Sequence, residues 1–202
     1  VSDSWVAPTI ASIVEGDGEV TALPKLLHRI AVEIGVTNLR TERPIREPRG
    51  RITRPGGIER VVSAAALRVK GDGGVLVLLD ADDDCPAQLG PQLLARARAQ
   101  RPDKRIAVVL PNHEFEAWFL AASASLAGQH GFPGDLPSHD NPEVPRDCKG
   151  WLTKQRAHGH PYKETVDQAP LASIFDLKAA RENSPSFDKS YRDVTRLMAV
   201  VS

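Results

Sequence analysis

Three short stretches of the chain are apolar almost without interruption: Thr9–Val14 (TIASIV), residues 75–79 (VLVLL) and residues 106–110 (IAVVL). Turn-forming or polar residues follow each one, and runs of this length read as strands buried on both faces. Between them the apolar positions recur at helical spacing. Leu23, Leu26, Leu27, Ile30 and Ile34 form one stripe. Pro24 is tolerated in a first turn, so this helix is expected to start near Thr21 and to stop at Gly35. Ile58, Val61, Val62, Ala65 and Val69 mark a second helix; Leu89, Leu93, Leu94 and Ala97 mark a third, from Pro86 to about Arg98. A fourth is expected from His113 to Leu126, with Phe115, Trp118, Phe119 and Ala122 on or near one face, and Trp118 and Phe119 in the core.

Residues 40–54 (RTERPIREPRGRITR) interrupt the pattern. Pro44, Pro48 and Gly50 break regular structure, so a short strand or extended arm followed by a basic loop is expected. The alternation of strand and helix implies a parallel sheet with helices on both faces. After Ala127 the character changes. Residues 128–170 are rich in proline and glycine, hold four His and contain few apolar residues, which reads as an irregular lobe. Two terminal helices are expected over 171–181 and 187–201. The expected organisation is an α/β core over residues 1–127 and a loop-rich, helical C-terminal lobe over 128–202, packed on it.

A chain of 202 residues can bury a real core without disulfides or a structural metal. Two cysteines exclude a disulfide framework and a four-cysteine zinc site, and fit a reducing, cytoplasmic setting. No apolar run approaches the roughly 18–20 residues of a membrane span. The first residues, VSDSWVAP, lack the basic-then-apolar pattern of a secretory signal. With 26 basic against 26 acidic residues the net charge is zero, so nucleic-acid binding would need a local basic patch.

The acidic residues are placed where strands end, and ligands of open parallel sheets bind outside the carboxyl ends of the strands. Glu15 follows the first strand, with Glu19 one helical turn on. Asp80, Asp82, Asp83 and Asp84 follow the VLVLL run; Glu114 and Glu116 follow IAVVL. Like charges about 5 Å apart repel by on the order of 3 kcal/mol per pair at an effective dielectric near 20. DADDD is therefore either a solvated acidic turn or a cation site. Alternation along an extended chain would send Asp80, Asp82 and Asp84 one way and Asp83 the other, so Asp80 and Asp82 could share Mg²⁺ or Mn²⁺ with Glu15. Other readings fit less well. A calcium-hand loop needs Gly and Glu where Cys85 and Pro91 stand. A haloacid-dehalogenase phosphatase needs Thr or Val at Asp84. No GK[ST] phosphate loop is present. A DxD nucleotide-sugar transferase fits Asp80 and Asp82 but leaves EGDGE unexplained.

Arg40, Arg43, Arg46, Arg49, Arg51 and Arg54 stand against Glu42 and Glu47, an excess suited to phosphate contacts or to internal ion pairs. Lys149, Lys154, Arg156 and Lys163, interleaved with Trp151 and Tyr162, form a second candidate basic wall or an ordinary docked lobe. His113, His130, His139, His158 and His160 match no zinc spacing with either cysteine. Cys85, after four Asp, is a poor nucleophile.

IVEGDGE followed 65 residues on by VLLDADD resembles the Toprim pattern of topoisomerases, primases and nucleases of the overcoming-lysogenization-defect type. Together with VEGDGEVTALPKLL, RPIREPRG, VLLDADDDCP, NHEFEAWFLA and SPSF, the chain is similar over nearly its whole length to a bacterial Toprim-like family of unknown function. The resemblance implies a Toprim-like (Rossmann-like) fold. Glu15 would be a metal ligand or general acid/base, Asp80 and Asp82 metal ligands, and Glu19 the extra acid of the nuclease branch. Asp84 and Glu116 complete the expected metal set, and Arg43, Arg46, Arg49, Arg51, Arg54 and Lys149 the nucleic-acid contacts. The expected activity is Mg²⁺- or Mn²⁺-dependent phosphodiester hydrolysis in DNA or RNA beside a separate ATPase partner, in a setting such as anti-phage defence. The alternative is a catalytically inactive Toprim-fold module that binds nucleic acid or an ATPase.

Overall fold

The structure, a computed structural model, describes residues 7–156 and 160–199. The first residues VSDSWV, His158 and the expected end of the last helix at Val201 lie outside them. The three apolar runs form strands β1 (Thr9–Val14), β4 (Gly73–Leu78) and β5 (Ile106–Val109), every residue of them buried. Two short strands, β2 (Arg40–Thr41) and β3 (Ile45–Arg46), both pair with β1 on its other edge. All pairings are parallel, in the order β2/β3, β1, β4, β5. Gly73 opens β4 at φ 121° with the Thr9 backbone where a Cβ would stand, so the close approach of β1 and β4 requires glycine there.

Strand alternation sorts the core into two layers. Ile10, Val14, Leu76, Leu78, Ala107 and Val109 face helices α1 (Asp17–Glu33), α5 (Ala117–Ala121), α8 (Leu177–Asn183) and α9 (Pro185–Met198). Ala11, Ile13, Val75, Val77, Ile106 and Val108 face α2 (Arg49–Thr53), α3 (Gly57–Ala66) and α4 (Pro86–Gln100). The fold is thus α/β, a five-stranded parallel sheet with helices around it and a helical C-terminal region. Trp118 and Phe119 are fully buried; Phe115, Phe175 and Phe187 join them in a chain of tilted ring contacts 4.8–5.5 Å apart that ties the C-terminal helices to the sheet.

Several boundaries differ from the sequence pattern. Helix α1 starts at Asp17, a full turn before Thr21, because the Glu19 carboxylate accepts the Gly16 N–H (2.8 Å) and caps the helix there. Pro24 then lies inside the helix, where its missing N–H leaves one carbonyl without its helical donor. Where a basic loop is expected to close the 40–54 segment, the chain instead forms helix α2, whose first residue is Arg49. The helix expected from His113 begins only at Ala117 and passes into a 3₁₀ turn at Ser123–Leu126. His113 stands at φ 62°, which no helix interior accepts. The irregular lobe contains α6 (Cys148–Gln155), a π-helical turn at Glu164–Gln168 and α7 (Ala169–Ala172). Among the described residues no helix is long and apolar enough to cross a membrane.

Candidate functional site

The chain leaves β1 toward β2 on one side and returns to β4 on the other. The crevice where the strand order reverses therefore opens between the carboxyl ends of β1 and β4. Glu15 stands at the first of these ends and Asp80 at the second. Five carboxylates meet around it. Glu15, half-buried, has its pKa pushed up by desolvation first, then by Asp82 and Glu19, with Arg49 and Lys149 opposing. Asp80 is raised well above the carboxylate range by burial, then by Glu116 and Glu19; Glu15 adds to this and Lys149 opposes it. Glu116 is fully buried, and burial lifts it to about 7 against the pull of Lys149 and Tyr162. Placing carboxylates side by side in a low-dielectric crevice favours either protons or a cation on them.

Each acid is held by backbone or by a neighbour. Asp80 accepts the Phe115 N–H at 2.8 Å, which joins the β4 end to the turn before α5. Glu19 accepts the Gly16 N–H, and Glu116 accepts the Tyr162 hydroxyl at 2.8 Å. Gln168 donates to both Glu19 and Glu116 at 3.2 Å. Among the described residues, Glu15 Oε2 and Glu116 Oε2 are buried without a hydrogen-bond partner. Lys149, on α6, pairs with Glu164 at 2.9 Å. Its pKa is raised: desolvation alone would lower it, and Glu116, Glu164 and Glu114 outweigh that.

The DADDD turn does not alternate as an extended chain would. Asp82 takes a left-handed conformation (φ 49°) and the Asp84 N–H donates to the Ala81 carbonyl. The chain therefore curls, yet Asp82 and Asp84 both reach Arg49, Asp82 at 3.5 Å, and Asp83 turns away to pair with Arg146. Asp82 remains exposed at the mouth of the crevice. Arg49 also donates to the Asp80 carbonyl (3.1 Å) and the Ala81 carbonyl (3.4 Å), so it clamps the turn from β1's side of the sheet. His113 holds the other side. Its carbonyl accepts the Asp82 N–H at 3.1 Å, and its Nδ1 lies 2.7 Å from the Asp82 carbonyl.

The structure thus brings Glu15, Glu19, Asp80, Asp82, Glu116 and Lys149 together, and leaves Asp84 on the outside in an ion pair. Glu114 is occupied in capping α6, accepting the Cys148 and Lys149 N–H groups at 3.0 and 3.3 Å. Arg43 and Arg54 are exposed, Arg46 pairs with Asp17 (3.1 Å) and Arg51 with Glu47 (3.7 Å). Arg156 is no part of an open basic wall: its side chain is 4% exposed, paired with Asp167 and laid over the Phe132 and Tyr162 rings. The sequence pattern offers Tyr162 only as an aromatic of the basic wall, not as a partner of Glu116, and does not mark Gln168 as a site residue at all. They stand 46 and 52 residues from Glu116, and no local spacing marks them.

The donor set, all hard oxygens with two buried and unsatisfied, fits Mg²⁺ or Mn²⁺. Among the described residues, no three His, Cys, Asp or Glu side chains already converge on a single point as ligands.

No curated protein matches the chain significantly. Among solved structures, the C-terminal region of the Burkholderia pseudomallei OLD protein is similar at 12% sequence identity with a TM-score of 0.36, over 96% of this chain and 100% of that one. A family model matches residues 14–193, from the last residue of β1 to the final helix, and so takes in every residue of the acidic crevice. The chain belongs to the family described as the domain of unknown function DUF4276.

Proposed function

We propose that this protein is a Mg²⁺- or Mn²⁺-dependent nuclease that hydrolyses phosphodiester bonds in DNA or RNA. The observation that carries the reading is the crowding of Glu15, Asp80 and Glu116, all with raised pKa, at the switch point of the sheet. Glu15, Asp80 and Asp82 would hold the cation, with Glu19 and Glu116 beside them. Bound there, a divalent ion would supply an activated water and charge neutralisation on the phosphate. The chain's own groups have definable parts. Glu15, with an unpartnered oxygen and a pKa raised by burial, can accept and return a proton. Lys149 remains charged and offers a fixed positive group to a phosphate entering the crevice. Arg43, Arg46, Arg51 and Arg54, all exposed, suit the flanking phosphates. A separate ATPase partner and a role in defence against phage belong to this proposal through the Toprim resemblance of IVEGDGE and VLLDADD.

A second reading, a binding module without catalysis, is favoured by the lack of three converged ligands among the described residues. Incubation of plasmid, single-stranded DNA and RNA with Mg²⁺, Mn²⁺ or EDTA, with and without the ATPase, separates the two. Cleavage that requires the metal and is lost in Glu15→Gln and Asp80→Asn supports the nuclease. Binding with no cleavage under any of these conditions supports the module.

A further inference from the structure

The IVEGDGE motif has a second glycine, Gly18, that the acidic crevice does not explain. Its backbone angles are ordinary, so conformation does not demand glycine. Space does. A Cβ on Gly18 would overlap the side-chain oxygen of Gln168 and come within 3.0 Å of the Glu164 carbonyl. Gln168 closes the π-helical turn Glu164–Gln168 and is fully buried. Its amide nitrogen lies 3.2 Å from Glu19 Oε1 and 3.2 Å from Glu116 Oε1. A primary amide has two N–H donors, one for each carboxylate. The Tyr162 hydroxyl donates to the same Glu116 oxygen at 2.8 Å, which leaves Glu116 Oε2 without a partner among the described residues. The same turn carries Glu164, the ion-pair partner of Lys149.

We propose that Gln168, seated against Gly18 and backed by Tyr162, is the positioning residue that holds Glu19 and Glu116 side by side for a divalent cation. The inference rests on the metal-dependent reading above and deepens it. A neutral donor is suited to this place. It fixes the orientation of two carboxylates while leaving their negative charge for the ion, which an arginine or lysine would cancel. Hydrogen-bonded supports of this kind typically change metal affinity 10–100-fold when removed.

Two variants reach the same contact from opposite sides. Gln168→Met keeps the length of the side chain and removes both donors. Gly18→Ala displaces Gln168 and alters neither carboxylate. Mn²⁺ binding to the intact chain is read by electron paramagnetic resonance, cleavage is followed across Mn²⁺ concentrations, and nucleic-acid affinity is measured in EDTA. The expected result for both variants is a 10–100-fold weaker Mn²⁺ affinity. Cleavage should be restored at saturating Mn²⁺, and nucleic-acid affinity in EDTA should be unchanged. Restoration by excess metal is a response that a damaged fold would not give. Wild-type Mn²⁺ affinity in both variants, or a loss that excess Mn²⁺ does not restore, overturns the proposal alone. A wild-type protein that binds no Mn²⁺ overturns the metal-dependent reading and this inference with it.

Discussion

Replacing Glu116 by Gln should make the metal-free protein less sensitive to pH and more stable in alkali. Glu116 is fully buried, and its pKa rises from 4.5 to about 7 chiefly through desolvation. The folded protein therefore holds a proton there that the unfolded chain gives up. The contribution of Glu116 to stability is greatest below pH 4.5, falls as the pH rises, and is gone above about 7. That interval, at about 1.4 kcal/mol per pH unit, amounts to about 3 kcal/mol. For a domain of this size it corresponds to about 6–12 °C in melting temperature. Glutamine has the same shape, and its carbonyl oxygen still accepts from Tyr162 and Gln168, so the variant avoids the ionisation without opening a cavity. It also removes the largest charge acting on Asp80, which flattens the profile further. The assay is thermal unfolding by circular dichroism in EDTA at pH 5 and pH 8, for wild type and Glu116→Gln. The wild type should lose several degrees more than the variant between the two conditions, and Mn²⁺ at pH 8 should restore the wild type more than the variant. Parallel profiles for the two proteins would show that Glu116 is already ionised at little cost in the folded state, and the argument from burial would fail.

Asp80→Asn and Glu15→Gln should each abolish metal-dependent cleavage while melting no lower than wild type in EDTA at pH 8, since both acids carry raised pKa values in the folded protein. Asp83→Asn should retain activity and change stability by less than about 0.5 kcal/mol, because its side chain is 76% exposed and only pairs with Arg146; urea titration measures this. Arg49→Lys should lower stability by about 1–3 kcal/mol, because an ammonium cannot span the Asp80 and Ala81 carbonyls and the Asp84 carboxylate together; the same titration reads it, and a shift below 0.5 kcal/mol would argue against the clamp. Neutralising Arg43, Arg46 and Arg51 together should weaken binding to unrelated sequences alike and flatten the slope of log affinity against log salt by roughly 0.7–0.9 per lost contact, measured by fluorescence anisotropy. An unchanged slope would argue against phosphate contacts here and leave Arg46 and Arg51 to their internal partners Asp17 and Glu47.

The sheet was legible in the sequence because burial on both faces leaves a continuous apolar run that no other element of that length requires. TIASIV, VLVLL and IAVVL carried it, and the acids placed directly after them marked the carboxyl edge of the strands. Helix stripes such as Ile58, Val61, Val62 and Ala65 were equally readable, since one buried face imposes a period that neighbours in sequence reveal. Features set by local hydrogen bonding were less so. The start of α1 depended on a Glu19 carboxylate reaching back to Gly16, and the curl of DADDD on backbone bonds from Asp84 to Ala81 and from Asp82 to His113. Alternation assumes an extended chain, and that turn is not extended. The remaining decisions belonged to the tertiary structure alone. Gln168 meets Glu19 across 149 residues, Tyr162 meets Glu116 across 46, and Arg49 reaches the carbonyls of a turn more than 30 residues away. A side chain's own type and spacing announce whether it is apolar or charged. Which partner a buried polar group finds is settled only when distant segments pack together and every desolvated donor and acceptor must be matched.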